Sequence, residues 1–423
     1  MRNKQRLAYR SSADTVTGMF EELQCKQVSF NNGKRPVHVW APEIFAAKGG
    51  IQTYSAFLLK ALQDIYPRVP YRVFLKNDVY GSTEADGYSI TKFSFAGSWP
   101  KELRSLYFAL LTVGRGLMER PEIIISTHVH FSTLAYYLKK VARVPYWVVA
   151  HGIDVWGLTD PAQKIALREA DLILSVSAYT RDRLLSEQQF DQEKVVILPD
   201  TMDSARFNIE SKPEYLMRRY GIARREPVIL TVSRLDGREQ YKGYDTVLRA
   251  LPAVRQAIPE VRYLIVGKGD DRQRIERIIA ELGLESCVTL AGYIPDEELC
   301  DHYNLCDVFA MPSKGEGFGV VFLEAMACGK PVLAGNKDGS VDALRRGDLG
   351  VLVDPDNVKE IASALTGILK STYPHPVIYD PQLLRRRVIG AYGFESFKST
   401  LSNLLQTRLN FDLGGNSPPF SAD

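Results

Sequence analysis

The sequence has little of what stabilises a small secreted protein or a membrane-spanning one. Only five of its 423 residues are cysteines, and none of them forms a C-x-x-C pair. This argues against a disulfide framework or a zinc knuckle and indicates reduced thiols in the cytoplasm. The most apolar stretch, residues 105–114, is about half as long as a membrane-spanning helix. The net charge of +3 is too small to indicate a nucleic-acid partner.

Short apolar runs alternate with helical patterns along the chain, which predicts an α/β fold with doubly wound parallel sheets. The pattern runs through residues 36–203 and restarts in 204–380, so we predict two Rossmann-like domains that face each other across a cleft. Residues 1–35 form a polar segment without a signal-peptide core, 381–409 predict closing helices, and 410–423 predict a disordered tail. Ligands of such folds bind beyond the carboxyl ends of the strands.

Eleven apolar runs are predicted strands. The first series comprises 37–44, 71–75, 123–126, 146–150, 172–176 and 195–198. The second series comprises 228–232, 263–266, 288–290, 308–311 and 331–334. Functional residues are therefore expected in the loops that follow these runs.

A glycine-rich loop over residues 313–319 follows one predicted strand and precedes a predicted helix. Gly317 and Gly319 let the backbone approach a ligand, and the positive end of the helix favours an anion. Glu316 lies in the loop and Glu324 lies in the helix. Carboxylates beside an anion site are best explained as acceptors for sugar hydroxyls. The pattern indicates a nucleotide sugar; the alternative is a solvated Glu316 and a salt-bridged Glu324.

Two cations follow the first strand of the second series. Arg234 and Lys242 suit a diphosphate and would stabilise the charge that it gains as the sugar leaves. The alternative is two solvated surface charges. The only Asp-x-Asp sequence, Asp354-Pro355-Asp356, precedes a predicted helix and indicates an N-cap at Asp356 or Asn357 rather than a metal site. We therefore expect no metal ion.

Loops of the first series carry candidate residues as well. His151 follows a strand and would contact the donor sugar, and His128, His130 and Asp154 are candidates for contact with the acceptor. Gly50 opens the first long helix, so its amide could reach the diphosphate from the opposite wall. For each of these residues the alternative is an ordinary structural role.

Two loops of the second series complete the candidates. Gly267-Lys268-Gly269 begins like a dinucleotide fingerprint, but Arg272 stands where the third glycine would be. Ile294 follows a predicted strand, and its backbone could hydrogen-bond the edge of a base. The alternative for both loops is an ordinary strand-to-helix connection.

Together these residues resemble the retaining glycosyltransferases of family 4, which share the GT-B fold. The most specific part is the E-x7-E element from Glu316 to Glu324, followed by the segment that contains Arg234 and Lys242. The resemblance implies that the two cations bind the diphosphate, Glu324 the ribose and Glu316 the donor sugar, with His151 at the reacting centre. The donor-binding residues that it implies are Gly50, Arg234, Lys242, Gly267, Ile294, Glu316, Gly317, Phe318, Gly319, Val320 and Glu324.

The resemblance implies transfer of a hexose to an acceptor hydroxyl with retention of configuration and without a metal ion or cofactor. UDP-glucose is the expected donor and GDP-mannose the alternative. An NAD-dependent enzyme and a non-catalytic subunit of a glycan assembly are further alternatives. The missing third glycine argues against the first of these, and the presence of Glu316, Arg234 and Lys242 argues against the second.

The acceptor is expected to be a saccharide or a lipid-linked saccharide of envelope or exopolysaccharide synthesis. Residues 101–120 combine four basic side chains with apolar ones. As a helix, this segment would hold an otherwise cytoplasmic protein at the inner face of the plasma membrane. The alternative is a core-facing helix with solvated charges.

Overall fold

The computed structural model describes residues 35–45, 49–79, 91–188 and 190–408, without the side chain of Gln188. The predicted polar segment, up to residue 34, and the predicted disordered tail lie outside the described residues. The described chain forms two parallel β-sheets, one after the other, each covered by helices.

The N-terminal sheet has seven strands in the order β3-β2-β1-β4-β5-β6-β7, all parallel. Its strands are β1 (Val37–Ala41), β2 (Tyr71–Leu75), β3 (Thr91–Phe95), β4 (Ile123–Ser126), β5 (Tyr146–Ala150), β6 (Leu172–Ser175) and β7 (Val195–Ile197). The strands β1, β4, β5 and β6 are buried throughout, because helices cover both faces of the sheet. The sequence pattern missed only β3, a half-buried strand at the sheet edge.

The helices of this part are α1 (Gly50–Ile65), α2 (Lys101–Glu119), α3 (Ser132–Ala142), α4 (Pro161–Glu169) and α5 (Ala178–Gln188). Local sequence explains where α4 begins. The Asp160 carboxylate accepts a hydrogen bond of 2.9 Å from the backbone N–H of Ala162, and Pro161 occupies the first helical position. No helix among those described is both long enough and apolar enough to cross a bilayer.

The C-terminal sheet has six parallel strands in the order β10-β9-β8-β11-β12-β13. They are β8 (Val228–Val232), β9 (Arg262–Val266), β10 (Val288–Gly292), β11 (Val308–Met311), β12 (Val332–Gly335) and β13 (Val351–Val353). The three-residue strand β13 was not predicted. In both sheets the strand order reverses beside the first strand, at β1/β4 and at β8/β11, so each sheet has a switch point where ligands bind in such folds.

The helices of the second part are α6 (Glu214–Tyr220), α7 (Tyr244–Ala257), α8 (Arg272–Glu281), α9 (Leu299–Leu305), α10 (Val320–Ala327), α11 (Ser340–Ala343), α12 (Val358–Leu369), α13 (Pro381–Tyr392) and α14 (Phe394–Arg408). The predicted N-cap is confirmed at Asn357, whose side chain accepts a hydrogen bond from Glu360 N at 3.2 Å. Asp356 instead contacts Lys314 at 2.6 Å and Lys337 at 2.9 Å.

The last helix returns to the N-terminal sheet. Phe397 of α14 packs edge-on against Tyr54 of α1, with 5.6 Å between ring centroids. Where the chain returns, Gly393 pairs with Met202 in a parallel bridge, and Thr201 Oγ1 donates a hydrogen bond of 2.8 Å to the carbonyl of Tyr392. The chain therefore passes between the two sheets twice, and the two connecting segments run next to each other. The predicted pair of doubly wound Rossmann-like sheets is confirmed.

Candidate functional site

The loop between β11 and α10 is held in place by a buried carboxylate that the sequence pattern did not indicate. Asp338 Oδ2 accepts hydrogen bonds from the backbone N–H of Glu316 at 2.7 Å and from Ser313 Oγ at 2.8 Å. Its other oxygen accepts the N–H of Ser340 at 2.9 Å. Burial raises the pKa of Asp338, and these hydrogen bonds oppose that shift. The sequence signal that could have indicated Asp338 was its position, because it follows β12, the strand paired with β11.

This glycine-rich loop contacts the turn after β5 across the cleft. A Cβ atom added to Gly317 would lie 1.6 Å from the carbonyl oxygen of His151 and 3.3 Å from Gly152 Cα. The same crowding holds on the other side, where a Cβ at Gly339 would lie 2.0 Å from the carbonyl oxygen of Gly317. Glycine at position 317 is thus required by the packing of three backbone segments.

The two predicted phosphate-binding cations lie beside carboxylates. Lys242 Nζ contacts Glu316 Oε1 and lies 3.8 Å from Glu239 Oε2, and Arg234 contacts the other oxygen of Glu239. The side chains of Lys242, Glu239 and Glu316 are 13–15% exposed, whereas that of Arg234 is 69% exposed. Glu239 links the two cations and was not anticipated. Lys242 and Glu316 lie 74 residues apart in the chain, so the fold brings two separately predicted segments together.

Glu324 lies on α10, and within the described residues its carboxylate forms one side-chain hydrogen bond. Tyr303 of α9 donates a hydrogen bond of 2.7 Å to Glu324 Oε2. Burial raises the pKa of Glu324 to about 7, although the Tyr303 hydrogen bond and the nearby Arg206 charge lower it. Tyr303 was not predicted. Its hydroxyl fixes one oxygen of a carboxylate that is poised between its two protonation states near neutral pH.

His151 is oriented from both sides. Its Nε2 lies 2.8 Å from the carbonyl oxygen of Thr127, which can only accept, so Nε2 carries the proton and Nδ1 is left as an acceptor. Burial lowers the pKa of His151 to about 4, so the ring is neutral at neutral pH. Asp154 Oδ1 accepts the N–H of His151 at 3.0 Å, and burial raises the pKa of Asp154 to about 7. Asp154 therefore stabilises the turn that carries His151.

Three basic side chains gather after β2 and β4. His128 and His130 stack with 4.4 Å between ring centroids, and His128 Nδ1 accepts the backbone N–H of His130 at 3.2 Å. Burial lowers the pKa of His128 to about 3, helped by His130, His151 and Lys76. The same Lys76 lowers the pKa of His130 after the larger effect of burial. Lys76 was not singled out in the sequence.

The remaining candidate residues differ in how crowded and how buried they are. A Cβ at Gly50 would meet no atom within 4 Å, whereas one at Gly267 (φ +142°) would lie 1.8 Å from the carbonyl oxygen of Ser233. Phe318 is buried against Tyr392 at 5.2 Å between ring centroids, so only its backbone is available for a donor contact. Ile294 is 9% exposed. In the loop, Gly319 adopts φ +96° and Val320 begins α10.

Two parallel sheets with paired switch points, and a glycine-rich loop between β11 and α10, define a GT-B architecture. Family models match both parts of it. The model described as Glycosyltransferase Family 4 matches residues 48–206, and the model described as Glycosyl transferases group 1 matches residues 214–380. Together they cover more than half of the chain. The chain belongs to the glycosyltransferases of family 4.

Curated relatives include the GDP-mannose-dependent alpha-(1-6)-phosphatidylinositol monomannoside mannosyltransferase of Mycolicibacterium smegmatis, 37% identical over 232 residues, or 52% of this chain. The chain matches 59% of that relative's length. The GDP-mannose-dependent monoacylated alpha-(1-6)-phosphatidylinositol monomannoside mannosyltransferase of Corynebacterium glutamicum is 26% identical, with 85% of this chain and 94% of the relative covered. Among solved structures, Anabaena HepE in complex with UDP and glucose has a TM-score of 0.71 at 19% identity, covering 88% and 100% of the two chains, which shows the shared fold.

Proposed function

We propose that this protein transfers a hexose from a nucleoside diphosphate sugar to an acceptor hydroxyl, with retention of the anomeric configuration. The observation that carries the proposal is the direct contact of Lys242 with Glu316 opposite the His151 turn. A cation and a carboxylate at this point suit the two chemistries of a sugar diphosphate, which is anionic at one end and rich in hydroxyls at the other.

Each side chain would then have a distinct role toward the donor. Lys242 and the more exposed Arg234 would bind the diphosphate, with Glu239 giving up its contacts to them. Glu324, with one oxygen fixed by Tyr303, would accept ribose hydroxyls. Glu316 would accept a hydroxyl of the hexose. His151 would present Nδ1 as a neutral acceptor at the reacting centre.

The reaction that fits these roles needs no nucleophile from the protein. The bond between C1 of the hexose and the oxygen of the diphosphate breaks, and a bond from C1 to the acceptor oxygen forms on the same face. The acceptor proton passes to the departing diphosphate oxygen. Charge grows on that diphosphate in the transition state, and the two fixed cations would stabilise it in place of a metal ion.

The relatives change the preferred donor. Both mannosyltransferases named above are described as GDP-mannose-dependent, which supports GDP-mannose at least as well as the UDP-glucose expected from the sequence. UDP-glucose remains the second candidate. The base would meet the backbone at Ile294, where peptide groups rather than side chains would discriminate guanine from uracil.

The test is a hydrolysis and transfer screen of the purified full chain with GDP-mannose, UDP-glucose and other nucleotide sugars. We expect cleavage of one donor, and loss of most of that activity in Lys242→Gln. Lys359→Gln, at an exposed lysine of α12, is the matched control and should keep full activity. Failure of the wild-type protein to cleave any nucleotide sugar, with acceptor or without, would refute the proposal.

The acceptor side is proposed to approach an anionic lipid surface. Four exposed leucines of α2 recur at helical spacing on one face; they are Leu103, Leu106, Leu110 and Leu117, each 43–66% exposed. Met118 of the same helix is 77% exposed. Tyr137 and Val141 of α3 are also exposed. Lys101 and Arg120 lie at the two ends of α2. The acceptors named for the two mannosyltransferase relatives are phosphatidylinositol mannosides.

This surface is tested through its leucines, because two arginines of α2 are already engaged within the protein. Arg104 donates to the carbonyl of Gly97 at 2.9 Å, and Arg115 lies 3.6 Å from Glu119. In flotation with vesicles that contain phosphatidylinositol, we expect wild type to float and Leu106→Ser/Leu110→Ser to remain below. Ile165→Ser on α4, another exposed apolar residue, is the control. Equal flotation of all three proteins would exclude α2 as the contact.

A further inference from the structure

The basic cluster of Lys76, His128 and His130 has no role in the donor assignments above. Lys76 directly follows β2, and the two histidines follow β4. Both strands flank β1 in the N-terminal sheet, so their loops lie on either side of the loop after β1. The cluster is thus at the carboxyl edge of the sheet, on the acceptor side of the cleft.

Lys76 gives the cluster its positive charge. Lys76 is partly buried and forms no ion pair within the part of the chain that the structure describes. Asp160 is the acidic group that acts on His130, and its effect is smaller than the opposing effect of Lys76. A partly buried ammonium beside two rings that are kept neutral is an electrostatic environment that favours an anion.

The hydrogen bonding of His128 leaves a donor available in the same place. Its Nδ1 accepts the N–H of His130, so the neutral ring carries its proton on Nε2. That Nε2–H has no partner among the described residues. Lys76 contributes up to three further donors, and the exposed His130 can gain a proton when an anion approaches it.

We propose that Lys76, His128 and His130 form a subsite for a phosphate ester carried by the acceptor. The inference rests on the proposed glycosyl transfer and names the class of acceptor for that same cleft. A phosphate offers the oxygen acceptors that the ammonium and the two imidazoles require, in charge-assisted hydrogen bonds. A neutral saccharide would leave the ammonium without a counter-charge.

The test compares acceptors that differ only in a phosphate: glycerol 3-phosphate with glycerol, and inositol 1-phosphate with inositol. With the donor found in the screen, wild type should have at least a tenfold higher kcat/KM for the phosphorylated member of a pair. Lys76→Gln should reduce that preference at least tenfold, and His130→Gln should reduce it by a smaller factor. Lys359→Gln should retain it. Inorganic phosphate should compete with the phosphorylated acceptor.

The outcomes separate this inference from the function on which it rests. A wild-type protein that cleaves no nucleotide sugar refutes the glycosyl transfer itself. A protein that cleaves its donor but uses phosphorylated and neutral acceptors equally, or keeps its preference in Lys76→Gln, overturns the phosphate subsite alone. Phosphatidylinositol vesicles, compared with soluble inositol 1-phosphate as acceptors, show whether the phosphate belongs to a lipid or to a soluble molecule. Preferential use of either acceptor supports the subsite. If neither is used, the subsite is contradicted.

Discussion

Asp338 Oδ2 accepts the backbone N–H of Glu316 at 2.7 Å, and the backbone N–H of Gly339 in turn donates to the carbonyl of Glu316 at 2.8 Å. The two contacts fix the peptide groups on both sides of Glu316. The position of the Glu316 carboxylate therefore depends on a residue that follows the neighbouring strand.

Asp338→Asn should lower the transfer rate, because Asp338 positions Glu316 through the hydrogen bond to its backbone N–H. The amide nitrogen of asparagine cannot accept, so either the Ser313 hydroxyl and the Glu316 N–H or the Ser340 N–H loses its partner, at a cost of about 1–3 kcal/mol. We expect kcat to fall at least tenfold and the unfolding temperature to decrease. Nucleoside diphosphate affinity should change much less than kcat. An unchanged kcat would show that Asp338 does not position Glu316.

Lys242 and Arg234 should differ in how they contribute. Lys242 is nearly buried and paired with Glu316, so Lys242→Gln removes transition-state charge and leaves a carboxylate unpaired. A decrease in kcat of about 100-fold or more is expected. Arg234 is mostly exposed, so Arg234→Gln should mainly weaken diphosphate binding, with an effect that shrinks at high salt.

Arg238→Gln is the matched control for both variants. Its side chain is 89% exposed and pairs with Asp236 in the same loop. Steady-state kinetics and diphosphate titration should give values close to wild type for this variant. A loss in Arg238→Gln as large as that in Lys242→Gln would assign the diphosphate to a different set of cations.

Donor affinity should depend on pH through Glu324. Burial raises its pKa to about 7, so the fraction of charged carboxylate falls as the pH decreases from 8 to 6. A neutral carboxyl accepts sugar hydroxyls less well, so the dissociation constant of the nucleotide sugar should rise over this range. Glu324→Gln should give a flat profile, and Tyr303→Phe should move the transition to higher pH, because the lost hydrogen bond stabilised the charged form.

The free energy of unfolding should also depend on pH through Glu324, but in the direction opposite to that of donor affinity. The folded pKa of Glu324 lies above the ordinary value of 4.5, so the folded state holds the proton more tightly than the unfolded state. This contribution to stability is present below pH 4.5 and is lost as the pH rises through 7. Glu324→Gln should remove that part of the pH dependence in denaturant unfolding. If the free energy of unfolding of Glu324→Gln had the same pH dependence as that of wild type, the Glu324 carboxyl would be solvated in the folded protein.

Gly317→Ala should inactivate the protein by moving the loop away from His151. The added methyl group would lie 1.6 Å from the His151 carbonyl oxygen, so one of the two backbone segments must shift. Gly390→Ala in α13 is the control, because a Cβ there meets nothing within 4 Å and the helix gains up to about 1 kcal/mol. Transfer assays and thermal unfolding of both variants check the prediction. Full activity in Gly317→Ala would contradict the packing argument.

Burial on both faces made most strands predictable. Each of the eleven predicted runs overlaps a strand of the structure, because continuous apolar runs are typical of parallel strands between helices. Two strands, β3 and β13, were not predicted, and each has a physical reason. In β3, at the sheet edge, Thr91, Lys92 and Ser94 interrupt the apolar pattern, and β13 has only three residues.

The candidate site was predictable where glycines and charges follow a strand, but its supporting residues were not. The sequence predicts Glu316 and Lys242 as site residues in two separate loops, and the structure brings their side chains into contact. Asp338 and Tyr303 act on Glu316 and Glu324 from 22 and 21 residues away. Such contacts depend on how strands and helices lie side by side, which local sequence does not specify. For Asp338, its position after β12 was an available signal; Tyr303 had no comparable one. The roles assigned to these residues stay predictions until the variants are measured.

The bridge between Met202 and Gly393 limits how the two halves of the protein can move. Two neighbouring backbone segments joined in this way can twist together, but they cannot slide past each other. We therefore expect any opening of the cleft to be a rotation about these two segments rather than a sliding movement. Phe397, just beyond it, touches Tyr54, whose ring lies 5.2 Å from that of His151. A chain cut before Phe394 would therefore lose the contact through which the last helix reaches the neighbour of His151.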